Sequence, residues 1–233
     1  MTTRAETDMK EKPIIFSAPM IRAILEGRKS ITRRILKPQP NVLNGGLPMN
    51  DGRGSYSVDG GWKRYAFAPG DLLWVREAFS YSWSVKDDPE RRHLMPCWYW
   101  ADGNPTHGDW SKPKPSIHMP RWASRITLKV TAVKVERLQQ ISEEDAVAEG
   151  IARIGREYIE AGIEEAFSNG PNFWNVEGMD FAGNWPTAPE CFASLWYQIN
   201  GDPKDQWEDT PFNAKCWKTN PWVAAIRFER VKP

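Results

Sequence analysis

From Ile126 to Val135 the chain alternates apolar and polar residues and then changes step. Ile126, Leu128, Val130 and Ala132 share one parity with Thr127, Lys129 and Thr131 between them, whereas Val133 and Val135 carry the apolar side onto the other parity. A period of two marks a strand buried on one face, and a change of parity turns that face over. A bulge or sharp bend does this, and small barrels use such bends to curl their sheets. With 233 residues, 40% of them hydrophobic, the chain has enough length to bury a core, and one elaborated domain is expected.

The surrounding pattern fits an α+β domain. Residues 1–11 are polar and aperiodic and read as a tail, so residues 12–233 form the expected domain, its first strand starting near Pro13 with Ile14, Ile15 and Phe16. Pro19 favours a helix start, Ile21, Ile24 and Leu25 give it one apolar stripe, and Gly27 can end it in the left-handed region. Asn41–Gly61 reads as a long loop, and Gly70-Asp71 turns into a buried strand over Leu72–Val75 that leads to Arg76 and Glu77. Residues 80–120 form an aromatic, proline-rich excursion with a short strand at Cys97–Ala101 and a turn at Asp102–Pro105.

Ser142 and Asp145 resemble a capping box opening a helix that ends at Gly150, and Thr187 with Glu190 opens another whose stripe is Phe192, Leu195, Trp196 and Ile199. After Pro221 a last strand sets Trp222, Ala224, Ile226 and Phe228 on one face against Val223, Arg227 and Glu229 on the other. Short strands without a regular strand–helix alternation predict a small mixed or antiparallel barrel, two or three flanking helices, and long insertions near 41–61, 80–120 and 156–186.

The formal charge of +1 excludes a generally polycationic protein, so nucleic-acid contact must come from local patches. Cys97, Cys191 and Cys216 are odd in number and far apart, and no signal peptide or long apolar run is visible, which predicts a reduced, soluble, cytoplasmic protein without a membrane partner. His93 and Cys97 stand four apart, but no second close pair completes a four-ligand set, so neither metal nor cofactor is expected. Thirteen tryptophans exceed packing needs, and Trp62, Trp98, Trp100, Trp110, Trp174, Trp185 and Trp207 lie in polar company where some could face a ligand or dock a protein partner.

Arg28, Lys29, Arg33, Arg34 and Lys37 put five positive charges within ten residues at a helix exit, where arginine forks suit phosphate. Arg121, Arg125 and Lys129 flank Trp122, and cations interleaved with aromatics suit single-stranded nucleic acid. A strand edge defended by charge is the alternative. Thr32 becomes a nucleophile if a neutral Lys29 removes its proton, and crowding by Arg28, Arg33 and Arg34 lowers the lysine's proton affinity in the needed direction. In a plain strand residues three apart face opposite sides, so the turn after Gly27 must bring Lys29 round. Glu149 stands at the negative end of its helix, which disfavours its charged form and suits a general acid or base.

The order of these pieces resembles the ASCH family, a PUA-like barrel. The matching elements are Gly-x-Lys-x-x-Thr at Gly27 to Thr32, the Gly-Asp entry at Gly70-Asp71 and Ser-Glu-Glu-Asp-Ala-x-x-Glu-Gly at Ser142 to Gly150. Gly70 to Glu77 and His118 to Arg125 are similar to motifs of its larger phage and prophage-type members. The resemblance implies a pocket for RNA, single-stranded nucleic acid or a modified nucleoside. Arg33, Arg34, Trp74, Arg76, Glu77, His118, Arg121, Trp122 and Arg125 are its candidate binding residues. Compact bacterial relatives hydrolyse N4-acetylcytidine with a lysine, threonine and glutamate that fall on Lys29, Thr32 and Glu149. Other relatives have been assigned ribonuclease activity, and a phage accessory role in binding protein is a further alternative.

Overall fold

The computed structural model describes residues 11–40, 55–58, 61–82, 96–154, 173–175, 185–200 and 217–231. In chain order the strands are β1 (Glu11–Ile15), β2 (Ile31–Ile35), β3 (Ser55–Val58), β4 (Gly61–Arg64), β5 (Leu72–Arg76), β6 (Phe79–Tyr81), β7 (Cys97–Tyr99), β8 (Thr127–Arg137), β9 (Ala152–Ile154), β10 (Phe173–Asn175) and β11 (Trp222–Val231). The helices are α1 (Ala18–Leu25), α2 (Glu143–Ala148) and α3 (Ala188–Asn200).

The chain is α+β, and its main sheet has the order β1-β5-β8-β11-β2. β1 runs parallel to β5, β5 antiparallel to β8, and β11 antiparallel to β2. The sheet is open, with β1 and β2 at its edges, where the sequence suggested a small closed barrel. The reason lies in β8: Leu128 and Val130 are buried, then Val133 and Val135, with half-buried Ala132 at the change of step. A bend turns one strand's face over without joining the two edges of the sheet.

By contact the chain divides into two compact units, residues 1–27, 69–131 and 228–233 in one and 28–68 and 132–227 in the other. In the first, α1 starts after extended Ser17 with Pro19 in its first turn and buries Met20, Ile21, Ala23 and Ile24, while Leu25 is half-buried. Gly27 leaves it at φ +78°, a conformation cheap only for glycine. β6 and β7 pair antiparallel beside a small cluster of Phe79, Met119 and Ala123. The strand expected to reach Ala101 stops at Tyr99 because Trp100–Asp102 tighten into a 3₁₀ turn.

Gly108 sits at φ +89°, and an added Cβ would meet Trp110 Nε1 at 2.7 Å. That indole already donates to the His107 carbonyl at 2.7 Å. Gly108→Ala should therefore cost about 1–3 kcal/mol, read as a lower denaturant midpoint at unchanged slope.

In the second unit, Ser55–Val58 pair with Gly61–Arg64 as an antiparallel hairpin, so the expected Asn41–Gly61 loop contains a strand. Its alternation of Ser and Tyr or Val was masked by neighbouring glycines, and Tyr56 is buried. The Ser142 hydroxyl accepts the Asp145 N–H at 3.1 Å at the start of α2, and three acids occupy its first turn, where the helix dipole favours them. Glu190 accepts from the Thr187 N–H and hydroxyl, while Glu143 of α2 accepts the Ala188 N–H at 2.8 Å, so α2 helps to cap α3.

α3 buries Cys191, Phe192, Leu195 and Trp196, but Ile199 is 58% exposed, so the expected stripe ends a turn early as the helix outruns the surface it covers. Burial raises the thiol pKa of Cys191 to about 12, and in the first unit that of Cys97 to about 11. β11 is buried on both faces from Trp222 to Ile226, so Val223 belongs to the core and only Arg227 and Glu229 keep the expected exposed parity.

Of the expected tail over residues 1–11, Glu11 instead opens β1, paired with Leu72, and residues 1–10 lie outside the described residues, as do 41–54, 83–95 with His93, Trp207, Cys216 and most of 156–186. Among the described residues no helix is long and apolar enough to cross a membrane.

Candidate active site

The second unit brings Lys29 onto Glu149. Gly27 turns the chain out of α1, and the Ser30 N–H donates to the Ala148 carbonyl at 2.8 Å, tying the entry of β2 to the end of α2. Gly150, at φ +99°, ends the helix just beyond Glu149. Lys29 Nζ then donates to Glu149 Oε2 at 2.6 Å and to its carbonyl at 2.7 Å, with only 2% and 4% of the two side chains exposed. Residues 120 positions apart thus form one buried ion pair.

Arg33 completes an ionic cage. Its Nη1 lies 3.4 Å from Glu149 Oε1, Nε and Nη2 fork onto Glu136 Oε1 at 3.1 and 2.7 Å, and Nη2 also donates to Asp145 Oδ2 at 2.6 Å. Lys134 pairs with Glu136 Oε2 at 2.8 Å, and Arg227 donates to Asp145 Oδ1 at 2.5 Å. Small Ala225 opposes Arg33 in the β2–β11 register, leaving the guanidinium room. Every donor edge of Arg33 is spent on carboxylates and its side chain is wholly enclosed, so it does not offer the phosphate fork read from the basic run.

Burial lowers the proton affinity of Lys29, Glu149 opposes the effect, and Arg34 and Arg33 add to it. The crowding expected from the sequence thus acts through Arg33 and Arg34, second to desolvation. Burial also lowers the Arg34 pKa against the opposing fields of Tyr65 and Glu149. For Arg33 burial again acts downward, but Glu149, Glu136 and the hydrogen bonds to Glu136 and Asp145 outweigh it and the pKa is raised.

Thr32 is buried in β2 opposite Ile226. Strand alternation sets it with Arg34 on the other face from Arg33. Its hydroxyl makes no hydrogen bond among the described residues, so the turn after Gly27 swings Lys29 onto Glu149 and not onto Thr32. Glu136 and Asp145 were not anticipated as site residues: Glu136 merely follows buried Val135, and Asp145 reads from sequence only as a helix-cap partner.

The remaining candidates belong to the first unit. Arg125 forks onto Glu77 at 2.9 and 3.0 Å and onto Asp102 at 2.6 and 2.8 Å, with its guanidinium 4.0 Å from the Tyr99 ring centroid. It is therefore spent on ion pairs, as Arg33 is. Glu77 is buried with its pKa raised by desolvation against the pull of Arg125. Arg76 stacks over half-buried Trp74 at 5.4 Å, and its buried Nε has no hydrogen-bond partner among the described residues. His118 ends an exposed 3₁₀ turn, Arg121 pairs with Glu11 at 2.8 Å in solvent, and Trp122 is 38% exposed. No group of three or more His, Cys, Asp or Glu arranged to hold a metal ion occurs among the described residues.

Neither a protein-family model, nor a curated protein, nor a solved structure matches this chain.

The lowered proton affinity of Lys29 has a measurable sign. In the window below the ordinary lysine value of 10.5 and above the folded one, the unfolded chain binds more protons than the native protein, so this group's contribution to stability rises with pH. Denaturant titrations across that window should give a more positive stability–pH slope for the wild type than for Lys29→Met. Equal slopes would contradict the shift.

Proposed function

We propose that the second unit binds an N-acylated nucleoside beside β2 and hydrolyses its amide, in the manner of the ASCH family with its PUA-like architecture. The observation that supports this reading most is the buried 2.6 Å contact between the Glu149 carboxylate and Lys29, whose proton affinity burial lowers. Thr32 follows three residues after Lys29, in β2, and its hydroxyl makes no hydrogen bond among the described residues.

In the reactive form the proton of the pair sits on Glu149 and Lys29 is neutral. For this reaction Lys29 must leave Glu149 and turn to Thr32; it then takes the Thr32 proton as Oγ1 attacks the acyl carbon, and the tetrahedral intermediate collapses when Glu149 protonates the departing N4 amine. This yields free cytidine, an acyl ester on Thr32, an ammonium on Lys29 and a carboxylate on Glu149. Water attacks the ester as Glu149 takes its proton, and Lys29 returns a proton to Thr32 Oγ1, releasing the acid. The Lys29–Glu149 ion pair therefore corresponds to the charge state of the acyl-enzyme, and an internal proton transfer together with the turn of Lys29 towards Thr32 separates it from the reactive form.

N4-acetylcytidine is the test substrate, with cytidine release followed by chromatography. Release that is lost in Glu149→Gln supports the reading. An inert wild-type protein at concentrations where the nucleoside binds contradicts it.

A second reading is recognition of single-stranded RNA by the first unit, favoured by exposed Trp122 beside half-exposed Arg121. Log affinity should then fall with log salt by about 0.7 for each phosphate neutralised. A flat titration of an RNA oligonucleotide removes it.

A further inference from the structure

We propose that Arg33 is a positioning residue for the Lys29–Glu149 pair: it takes Glu149 Oε1, leaves Oε2 to Lys29, and through Glu136 and Asp145 sets the pH range in which the pair holds a single proton. The inference rests on the amidohydrolase reading, and it concerns a residue outside the lysine, threonine and glutamate of that reaction.

The geometry is specific. Lys29 and Arg33 occupy different oxygens of one carboxylate, at 2.6 and 3.4 Å. A carboxylate held by two donors on separate oxygens cannot rotate without losing one, so the oxygen that meets Lys29 is fixed. The longer Arg33 contact reflects competition, because the same guanidinium makes three shorter bonds to Glu136 and Asp145. These acids therefore decide how much of the Arg33 charge acts on Glu149.

The charged and titratable groups facing the pair come from every neighbouring element. β2 supplies Arg33 and Arg34, β8 supplies Glu136 and Lys134, α2 supplies Asp145, and β11 supplies Arg227 through Asp145. Tyr65 acts on Arg34. Removing one negative charge from this set makes the charged form of Lys29 less favourable, which moves its titration to lower pH.

The experiment uses the full chain with Glu136→Gln, which removes charge and keeps an oxygen acceptor for Arg33. Lys29 is followed by the pH titration of its ¹³Cε resonance, and cytidine release from N4-acetylcytidine is followed over the same pH range. The expected result is a Lys29 titration and a kcat–pH profile both displaced downward by roughly one pH unit. Arg33→Lys, which keeps the charge but loses the fork, should displace neither as far while lowering stability.

A purely structural Arg33 would reduce the folded fraction and leave both curves where they were. That outcome in folded Glu136→Gln overturns the proposal. If Glu136→Gln does not fold, Asp145→Asn at the more exposed rim of the cage is read in the same way. A wild type that releases no cytidine defeats the amidohydrolase reading alone, since the Lys29 titration still decides the role of Arg33.

Discussion

Arg33→Met should lower folding stability by about 3–5 kcal/mol, the largest stability loss expected of any single substitution in the cage. The side chain has no exposed surface and meets three carboxylates, two of which, Glu136 and Glu149, are themselves almost fully buried. Methionine fills much of the volume, so the loss comes from charge and not from a cavity. Lys29 remains for Glu149 and Lys134 for Glu136, while Arg227 still reaches Asp145, which keeps the loss finite. Acidification should narrow the gap between variant and wild type, because protonating the carboxylates that have lost Arg33 removes the penalty from the variant and the attraction from the wild type. Urea unfolding at two pH values checks both statements, and a loss below about 1 kcal/mol would mean that water enters the cage and screens its charges.

Thr32→Val should reverse this pattern, with kcat for N4-acetylcytidine falling by at least about 10³-fold and little change in stability. Valine matches threonine in shape and suits a strand, and the lost hydroxyl leaves no donor or acceptor stranded among the described residues. Burial of Thr32 makes a bulkier replacement less informative, because overpacking would add strain to the chemistry being measured. Stopped-flow or endpoint assay of cytidine release, paired with thermal unfolding, separates the two effects. A variant that keeps wild-type turnover would exclude Thr32 as nucleophile and leave the Lys29–Glu149 pair to activate water directly.

Local chemistry made much of this architecture readable. Pro19 and Gly27 bracket α1, Ser142 caps α2, and Thr187 with Glu190 caps α3, because each device acts within a few residues of the chain. The parity change at Ala132 was equally visible, but whether a bent strand closes a barrel depends on what the outermost strands meet, and no residue of β8 encodes that. The hairpin at Ser55–Val58 was hidden by glycines on either side of a four-residue strand.

The site divides along the same line. Lys29 and Glu149 carry recognisable local settings, a glycine-terminated helix exit and a helix C-terminus, and the Ser30–Ala148 hydrogen bond brings these settings together. The basic run concealed the opposite of its apparent meaning. Arg33 alternates inward, and three acids from β8, α2 and the residue that caps α2 neutralise it, so a segment that reads as a phosphate surface is partly an internal ion-pair network. Glu136 escaped notice for the same reason: charge on a strand next to a core valine looks solvent-facing until a partner arrives from 103 residues away.

Mass spectrometry of protein quenched in acid during turnover of N4-acetylcytidine tests the shared site most directly. One added acetyl group is expected on the peptide containing Thr32 of the wild type, and none on that of Thr32→Val. Cytidine release by a wild type that never acquires an acetyl group, with turnover undiminished in Thr32→Val, would contradict it.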